Sequence, residues 1–386
     1  MFFLSIILLV VIFYTYVLYP LLVHMWARVI ATPTPLVLPI DFPSATILIT
    51  GHNISRLIPQ KLDNLATLEY LGNLSVLFVL DGCTDDTQKI VEDRMKAGYP
   101  FNLGVSVNSE RNGKEAALLN AIPKITSEVL IFSDADAMMQ EDTVQHLINR
   151  LVQPGNGAVS GHEIHIKESE TGASEGQGLF YQYEEFLKRS LSKFSSLCYV
   201  QGGNFAMWKR LYPIENKVPL GATQDGIIAF DVVLSGNKVA LEQKAITKEV
   251  YELSNSEDFA RRVRTISRAF YAICCRPKVL NPFKHNGFAI HLITGRLLRW
   301  LTLPIAVLAL ILGLGFGPSW YKSLLLFGTL IWSVIALIGW KMEKHNKRNK
   351  LFYFVFYFTY IHIAAAWAVL KAIMGHRTAV WKPSSQ

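Results

Sequence analysis

The stretch Glu128-Val-Leu-Ile-Phe-Ser-Asp-Ala-Asp136 decides the fold that this sequence predicts. Its apolar run, Val129–Phe132, has the β-branched and aromatic content of a buried strand and ends abruptly in polar residues. Asp134 and Asp136 follow at the carboxyl end of that strand, the edge at which open α/β sheets bind ligands. Carboxylates one residue apart in an extended segment can share a divalent cation, which keeps room for substrate phosphate oxygens. An acidic turn after a core strand is the competing interpretation of this stretch alone.

Strands and helices alternate on both sides of this stretch. The predicted elements are, in chain order, the strand Ala45–Thr50, the helix Pro59–Glu69, the strand Leu74–Leu80, the helix Asp85–Ala97 with Thr84 as its N-cap, the strand Asn102–Val107, a helix after Gly113 and the strand Val129–Phe132. Further strands are predicted at Ala158–Ile166, Tyr199–Trp208 and Lys238–Leu241, and a long helix at Gly176–Lys193. This alternation is typical of a parallel, doubly wound α/β sheet.

Charge is divided unevenly along the chain. Of the 38 lysines and arginines, 18 follow Asp258, together with only one of the 30 acidic residues, Glu343. The residues up to Asp258 therefore carry 20 basic and 29 acidic side chains, a net charge of −9. An acidic first part and a basic, apolar second part predict a soluble domain on a membrane base that faces anionic headgroups. Because the basic residues punctuate apolar runs, nucleic acid is not expected as a partner.

Apolar runs at both ends of the chain predict membrane-spanning helices. Phe2–Val23 is long enough to span a bilayer as an uncleaved helix, and Arg28 after it places the next domain in the cytosol by the positive-inside rule. Three later runs, Leu301–Phe316, Leu324–Trp340 and Leu351–Ile373, bring the predicted number of spans to four. The basic loop between the last two runs also belongs in the cytosol.

Two basic segments precede the C-terminal spans. Phe259–Cys275 is amphipathic and rich in arginine, and His291–Trp300 carries Arg296 and Arg299 among leucines, a composition suited to the membrane interface. The candidates for holding the first segment to anionic lipid are Arg261, Arg262 and Arg268. The predicted organisation is a transmembrane helix at 1–28, a proline-rich linker at 29–43, an α/β domain at 44–256, amphipathic interface helices at 257–300, about three transmembrane helices at 301–375 and a tail at 376–386.

Two more strand ends carry residues suited to binding. Asp81 and Gly82 close the second strand, where glycine lets the chain approach a ligand and the carboxylate can accept hydrogen bonds from a base or sugar. Asn112-Gly113-Lys114 opens the following helix, and a helix N-terminus with a lysine attracts phosphate. A capped turn and a solvated lysine are the competing interpretations. Together with Asp134 and Asp136, these residues predict a pocket for a metal and a diphosphate.

Six segments resemble, in order and spacing, the motifs of membrane-bound inverting family 2 glycosyltransferases, which include cellulose, chitin, hyaluronan and poly-N-acetylglucosamine synthases. The segments are Ser75-Val-Leu-Phe-Val-Leu-Asp-Gly-Cys-Thr-Asp-Asp-Thr87, Asn112-Gly-Lys-Glu-Ala-Ala-Leu-Leu-Asn120, Ser133-Asp-Ala-Asp136, Gln201-Gly-Gly-Asn-Phe-Ala206, Thr223-Gln-Asp225 and Gly295-Arg-Leu-Leu-Arg-Trp300. The resemblance runs from about Ala45 to Trp300 and implies the GT-A fold, a Rossmann-like nucleotide-diphospho-sugar-binding domain, with transmembrane helices at both termini.

The resemblance also implies a role for each matching residue. Asp81 would contact uridine, Asp134 the nucleotide and metal region, Asp136 the metal, Lys114 and Arg264 the diphosphate, and Gly202, Gly203 and Asn204 the acceptor end of the pocket. Asp225 matches the family's proposed general base. An inverting transfer needs a carboxylate that takes the proton of the acceptor hydroxyl as it attacks C1. The local alternative for Asp225 is an ordinary residue near a helix N-terminus.

This chain departs from the family pattern at three places. Gln224 stands where the family has a glutamate before the catalytic aspartate, in the acceptor pocket. The family's Gln-x-x-Arg-Trp motif aligns with Arg261-Arg-Val-Arg-Thr265, which keeps Arg264 but lacks the tryptophan that stacks on the acceptor. The family's Asn-Glu pair appears as Asn53-Ile54, so Asn53 is the candidate for a base contact. The missing tryptophan weakens the case for a processive polymerase.

These observations lead to the hypothesis of a metal-dependent inverting glycosyltransferase. It would use Mg²⁺ or Mn²⁺ and move a sugar from a UDP-sugar to a growing glycan or a lipid-linked acceptor during cell-surface polysaccharide synthesis. The expected partners are membrane lipids and proteins of polysaccharide export, and the expected location is the plasma (inner) membrane with the catalytic domain in the cytosol. The four cysteines show no C-x-x-C or metal spacing, which fits that reducing compartment. Transfer of a single sugar to a polyprenyl phosphate or glycolipid, and a non-catalytic scaffold or export subunit, are the alternatives.

Overall fold

The computed structural model describes residues 1–30, 37–166, 173–215, 217–250, 255–345 and 349–376. Part of the predicted linker, including Pro33 and Pro35, and the predicted tail beyond His376 lie outside the described residues. The predicted domain boundaries therefore stay predictions.

Within the described residues, eight strands form one sheet. They are β1 (Ala45–Gly51), β2 (Leu74–Asp81), β3 (Asn102–Asn108), β4 (Val129–Ser133), β5 (Met138–Met139), β6 (Asn156–Ile166), β7 (Phe205–Trp208) and β8 (Lys238–Val250). Their order across the sheet is β3-β2-β1-β4-β7-β6-β8-β5. The strand predicted at Val129–Phe132 is confirmed as β4, and its place inside the sheet explains its continuous apolar run.

The direction of the strands is mixed. β3, β2, β1 and β4 run parallel to one another, as the alternation of strands and helices predicts. Beyond β4, where the sequence predicts further strands without their direction, the sheet is mixed: β7 runs antiparallel to both β4 and β6, and β5 runs antiparallel to β8. A hydrophobic pattern identifies a strand but not its direction, which depends on the path by which the chain returns to the sheet.

Helices cover both faces of the sheet and lie at both ends of the part of the chain that the structure describes. They are α1 (Phe2–Phe13), α2 (Tyr19–Ile30), α3 (Ile58–Ala66), α4 (Thr87–Ala97), α5 (Lys114–Ala121), α6 (Thr143–Leu151), α7 (Ala173–Leu191), α8 (Gln224–Leu234), α9 (Asn255–Cys275), α10 (Pro282–Leu292), α11 (Thr302–Phe316), α12 (Ser319–Lys344) and α13 (Lys350–Ile373). A π-helical turn, Tyr14–Leu18, joins α1 to α2.

Alternate residues of β4 belong to two different hydrophobic cores. Leu130 and Phe132 pack with residues of α5 and α8, and the ring of Phe132 stacks on that of Phe205 with 4.3 Å between centroids. Val129 and Ile131 pack on the other face with residues of α3 and α6. Because both faces of the strand are covered, polar groups are accessible only at its end.

Three helices are long and apolar enough to cross a membrane within the part of the chain that the structure describes. They are Phe2–Ile30, Ser319–Lys344 and Lys350–Ile373, and a fourth span results if the bent pair Pro282–Leu298 and Thr302–Phe316, with an angle of 66°, counts as one. The prediction that Leu301–Phe316 spans a membrane alone is not supported, since α11 has 15 residues. At 1.5 Å per residue it reaches about 22 Å, short of a hydrocarbon core of about 30 Å.

The segment His291–Trp300 packs against the α/β part of the chain. Arg296 Nη1 lies 3.1 Å from Oε2 of Glu184 on α7, and Arg299 pairs with Oε1 of the same carboxylate. Although burial works in the opposite direction, the two arginines lower the pKa of Glu184 to about 2. The arginines predicted to lie in the membrane interface thus pair with a carboxylate of α7, Arg299 buried and Arg296 half-buried, and join the sheet-bearing part to the C-terminal helices.

Two local predictions are corrected by hydrogen bonding. Helix α4 begins at Thr87 with Asp86 as N-cap, not with Thr84, because Oδ1 of Asp85 accepts the N–H of Thr87 at 3.1 Å and closes a turn before the helix. The strand predicted at Tyr199–Trp208 begins only at Phe205, because Asn204 N donates to the carbonyl of Gln201 at 2.9 Å and forms a turn.

Gly82 is needed where β2 turns toward α4. Its φ is +61°, and a Cβ at this position would lie 2.5 Å from the backbone nitrogen of Arg111 in the loop before α5. Gly236, after α8, has a similar φ of +82°, but nothing lies within 4 Å of its Cβ position. The two glycines therefore separate the cost of the backbone conformation from the cost of the clash.

We expect Gly82→Ala to lower the free energy of unfolding by more than Gly236→Ala. A left-handed backbone costs an ordinary residue about 1–2 kcal/mol, and only the Gly82 variant must also displace the backbone at Arg111. The measurement is thermal unfolding of the two purified variants beside the wild type. If both variants shift Tm equally, the loop before α5 moves away from the new Cβ at no measurable cost, and the predicted clash is wrong.

Candidate active site

Lys114 and Asp134 form an ion pair at the carboxyl edge of the parallel strands. Lys114 is the first residue of α5, Asp134 follows β4, and Lys114 Nζ lies 2.8 Å from Asp134 Oδ1. Burial opposes the charge on both groups, yet the Lys114 ammonium lowers the pKa of Asp134. Asp134 and Asp225 in turn raise the pKa of Lys114 against the effect of burial. Both partners are therefore charged at neutral pH.

Lys61, which the sequence analysis missed, supports the acidic segment from inside the protein. Its Nζ donates to Oγ of Ser133 at 2.7 Å and to the carbonyl oxygen of Ala137. Burial lowers the pKa of Lys61 to about 8, and the neighbouring Asp134 and Asp136 oppose this effect. The indication available in the sequence is that this lysine stands on the apolar face of α3, where a cation needs a partner.

Asp81 holds the loop that leads into α5. Its Oδ1 accepts the backbone N–H of Asn112 at 3.0 Å, and its Oδ2 accepts that of Gly113 at 2.7 Å. With only 6% of the residue exposed, the carboxylate is largely committed to this loop. Asp81 therefore sets the position from which Lys114 reaches Asp134, and its contact with uridine stays a prediction.

Asn53 lies beside the end of β2 in a left-handed conformation, with a φ of +55°. Its Oδ1 accepts the backbone N–H of Thr84 at 2.8 Å, and its Nδ2 donates to Oγ1 of Thr84 at 3.0 Å. The adjacent His52 is hydrogen-bonded through Nδ1 to the carbonyl oxygen of Asp81 at 2.8 Å. These contacts place Asn53 at the same edge as Asp81, and its predicted contact with a base is untested.

The turn at Gly202 and Gly203 passes between two carboxylates. A Cβ on Gly202 would lie 3.2 Å from Oδ1 of Asp225, and a Cβ on Gly203 would lie 3.1 Å from Oδ2 of Asp134. Both glycines therefore lie close to acidic side chains, and their part in an acceptor pocket stays a prediction. Glycine also leaves the backbone of the turn open to a ligand.

Glu163 on β6 is a second residue that the sequence analysis missed. Its Oε1 accepts the N–H of Gly203 at 3.2 Å, and its Oε2 accepts a hydrogen bond from the side chain of Gln201. Burial raises the pKa of Glu163, and Asp134 adds to the effect. The side chain thus holds the glycine turn at the site. It stands in a strand that alternates without a recognisable motif, so the sequence offered no indication of its role.

Asp225 lies in the first turn of α8, on the other side of the glycine turn from Asp134. Burial raises the pKa of Asp225 to about 6, with Asp134 and Glu115 adding to the effect and Lys114 and Arg268 opposing it. A carboxylate with such a pKa can exchange a proton near neutral pH, which is the property of a general base.

Arginines of α9 extend the positive side of the site. Arg268 pairs with Glu115 of α5 at 2.5 Å and donates to the carbonyl oxygen of Ala222 at 2.9 Å, so it contacts the protein and not lipid. Arg264 is half-buried, and burial together with the charges of Arg268 and Arg261 lowers its pKa. The side chain of Arg264 has no acidic partner among the described residues. A second predicted lipid contact, Arg262, pairs instead with Asp258 at 2.7 Å.

Two predicted pocket residues face the interior. Asn204 is fully buried and its Nδ2 donates to the carbonyl oxygen of Ala245 at 2.9 Å. Gln224 is buried as well, and its Nε2 donates to Oη of Tyr212 at 3.2 Å. These contacts give both side chains a structural part, and their predicted contact with an acceptor stays a prediction.

Asp136 and Glu249 complete the acidic edge. Burial and the adjacent Asp134 raise the pKa of Asp136. Burial, Asp136 and Glu163 raise the pKa of Glu249 to about 7, against the opposing charge of Arg261. Among the residues that the structure describes, no three His, Cys, Asp or Glu side chains are grouped closely enough to hold a metal ion. A divalent cation at this edge needs oxygens from a ligand as well.

Comparison with known proteins finds similarity over part of the chain. Residues 46–213 match the model of Glycosyl transferase family 2. Glycosyltransferase GlyA of Streptococcus pneumoniae is 23% identical over 216 residues, 52% of this chain and 30% of the relative. A beta-monoglucosyldiacylglycerol synthase of Nostoc sp. is 26% identical over 138 residues, 36% of this chain and 30% of the relative. The chain thus spans about a third of the length of these curated relatives.

A solved structure shows the same fold over nearly the whole chain. The mannosyltransferase PcManGT from Pyrobaculum calidifontis, solved in complex with GDP-Man and Mn²⁺, superposes with a TM-score of 0.68 at 22% identity. The match covers 96% of this chain and 99% of the other. The predicted α/β fold of the GT-A type, with apolar helices at both termini, is confirmed.

The pKa of Lys61 is about 8 in the folded protein and 10.5 in its ordinary state. Between these two pH values, we expect the free energy of unfolding of the wild type to rise relative to that of Lys61→Met. In this window the unfolded chain binds more protons at Lys61 than the folded chain, so raising the pH favours the fold. Chemical denaturation across this range measures the difference. Lys124→Met, at an exposed lysine, is the control and should follow the wild type. Parallel curves for Lys61→Met and the wild type would contradict the burial of a charged amine.

Proposed function

We propose that this protein, whose residues 46–213 match the Glycosyl transferase family 2 model, transfers a sugar with inversion from a UDP-sugar to a glycan or a lipid-linked acceptor. The observation that carries this proposal is the convergence of Asp134 and Asp225 on Lys114 beside the turn at Gly202 and Gly203. In this proposal a carboxylate accepts a proton from the acceptor and cations bind the diphosphate. The sugar lies between these groups, beside the glycine turn.

In this proposal the donor diphosphate lies beside cations of two helices, α5 and α9. Lys114 lies at the N-terminus of α5, where helix geometry also favours phosphate. Arg264 and Arg268 approach from α9, and the crowding of positive charge that lowers the pKa of Arg264 is relieved by an anion. These groups stabilise the negative charge that develops on the diphosphate as it leaves.

The residues present fit a divalent cation, Mg²⁺ or Mn²⁺. Asp136 is exposed beside Asp134, and the repulsion between these carboxylates contributes to the raised pKa of Asp136, which a cation relieves. Asp136 and Asp134 would hold the ion, with the diphosphate supplying further oxygens. When bound, the ion would add electrophilic stabilisation of the leaving group.

Asp225 acts as the general base in this proposal. Its carboxylate takes the proton of the acceptor hydroxyl while that oxygen forms a bond to C1 of the sugar, and the bond from C1 to the diphosphate oxygen breaks with its electron pair on the diphosphate. The opposing charges of Lys114 and Arg268 keep the pKa of Asp225 from rising further, so most of the carboxyl groups are ionised at neutral pH.

A second candidate function is the transfer of a single sugar to a glycolipid or polyprenyl phosphate. The missing acceptor-stacking tryptophan at Thr265 and the similarity to a beta-monoglucosyldiacylglycerol synthase favour it over a processive polymerase. The helices suited to spanning a membrane also support this candidate, because a lipid acceptor would lie in the same bilayer. In either case we propose that the α/β part faces the cytosol at the plasma (inner) membrane.

The proposed function predicts nucleoside diphosphate release by the purified full chain with Mn²⁺ or Mg²⁺ and at least one sugar of a panel of UDP-sugars, with GDP-mannose included. Without an acceptor, the release reflects hydrolysis of the donor. A glycosylated product forms only when a glycan or lipid acceptor is added. Product length on a gel separates the two candidates, since a ladder indicates polymerisation and a single step indicates one transfer. A folded protein that releases no diphosphate from any donor would favour a non-catalytic scaffold.

We expect Asp225→Asn to abolish transfer while the affinity for UDP with Mn²⁺ stays near that of the wild type, because the amide cannot accept the proton. For the wild type, kcat/KM should fall as the pH drops through about 6, the pKa of Asp225, since only the ionised carboxylate is a base. Steady-state rates across pH and calorimetric titration with UDP measure both effects.

Asp136→Ala is the matched variant for this comparison. It should weaken metal-dependent UDP binding, which Asp225→Asn leaves in place. If Asp225→Asn is active, or if kcat/KM of the wild type falls only near the ordinary pKa of aspartate, Asp225 is not the general base.

A further inference from the structure

A cavity of about 520 Å³ lies between α2 and α7, apart from the candidate active site. Its walls include His24 and Arg28 of α2 and Glu185, Phe186, Arg189 and Lys193 of α7 and the turn after it. The ring of Phe186 lies 5.0 Å from that of His24, which brings the two helices together at one end of the cavity. Nothing in the proposed glycosyl transfer uses this space.

Positive charge dominates the polar part of the cavity. Arg28, Arg189 and Lys193 are exposed, whereas Glu185 is the one acid among the described side chains that line it. Glu185 is already shared, since its oxygens lie 3.3 Å from Nδ1 of His162, 3.5 Å from Nζ of Lys188 and 3.7 Å from Nε of Arg189. Among the described residues, the side chains of Arg28 and Lys193 have no acidic partner. The cavity therefore carries cations that an anion can neutralise.

The cavity also lies at the end of an apolar helix. The segment Phe2–Ile30 is suited to crossing a membrane, and the exposed side chains of its last turns are apolar apart from Arg28. They include Leu21, Leu22, Met25, Trp26 and Val29. Tryptophan and arginine at the end of an apolar helix are typical of the level of the lipid headgroups. Ala27, Phe186 and the aliphatic stems of the longer side chains give the cavity apolar surface, which suits the glycerol and upper acyl carbons of a lipid.

We propose that this cavity binds the phosphate headgroup of an anionic membrane lipid. The cations of Arg28, Arg189 and Lys193 contact the phosphate, and the apolar wall around Phe186 contacts the chains below it. Basic side chains near a membrane surface each strengthen binding of anionic lipid by about 1 kcal/mol, which is about fivefold. The site does not depend on the proposed transferase reaction, and its test measures binding alone.

The test is lipid binding by the full chain, measured by native mass spectrometry with short-chain phosphatidylglycerol and, as the uncharged comparison, phosphatidylcholine. The wild type should bind phosphatidylglycerol more tightly. The combined variant Arg28→Gln, Arg189→Gln and Lys193→Gln should lose about a hundredfold of that affinity, and Lys193→Gln alone about fivefold. Lys193→Gln removes no ion pair among the described residues, so it keeps the test decisive if the combined variant fails to fold.

The matched control removes three exposed cations elsewhere, with Lys89→Gln, Arg94→Gln and Lys124→Gln. It should keep the affinity of the wild type. An equal loss in the control, or no loss in Lys193→Gln, would overturn the assignment. Glycerol phosphate in solution should not displace the lipid. If it does so at the same concentration, the cavity binds a soluble phosphate and the lipid assignment is wrong.

Discussion

The candidate site depends on the attraction between the ammonium group of Lys114 and the carboxylates of Asp134 and Asp225. Asp134 and Asp225 come from distant parts of the chain, and burial acts against the charge of each carboxylate. Lys114 acts on both, so the two carboxylates can lie on either side of one glycine turn and stay ionised near neutral pH. Lys114 is itself positioned by Asp81, whose carboxylate holds the backbone of the loop before α5.

Several residues of the recognised motifs contribute to the site through the scaffold. Backbone or core groups are the hydrogen-bond partners of Asp81, Asn204 and Gln224. Two buried residues outside the motifs support the edge: Lys61 holds the acidic segment, and Glu163 holds the glycine turn. The geometry of the edge is thus determined by groups behind it as much as by those that line it.

Helix α7 connects the site with the membrane part of the chain. On one side Glu184 pairs with Arg296 and Arg299. On another, Lys188 links Glu185, at the cavity between α2 and α7, to Gln201, which donates to Glu163 beside the glycine turn. A single helix therefore contacts both the C-terminal helices and the wall of the candidate active site.

The sequence by itself determined the local elements and the chemistry of the edge. The apolar run before Asp134, the alternating strands and helices, the glycines beside acidic residues and the apolar ends of the chain are all properties of short segments. Only the tertiary structure decided the direction of β7, the burial of Lys61 and Glu163, and the inward pairing of Arg296 and Arg299 with Glu184. These features depend on partners far away in the sequence. The energy of a buried charge depends on those partners, and periodicity along the chain does not reveal them.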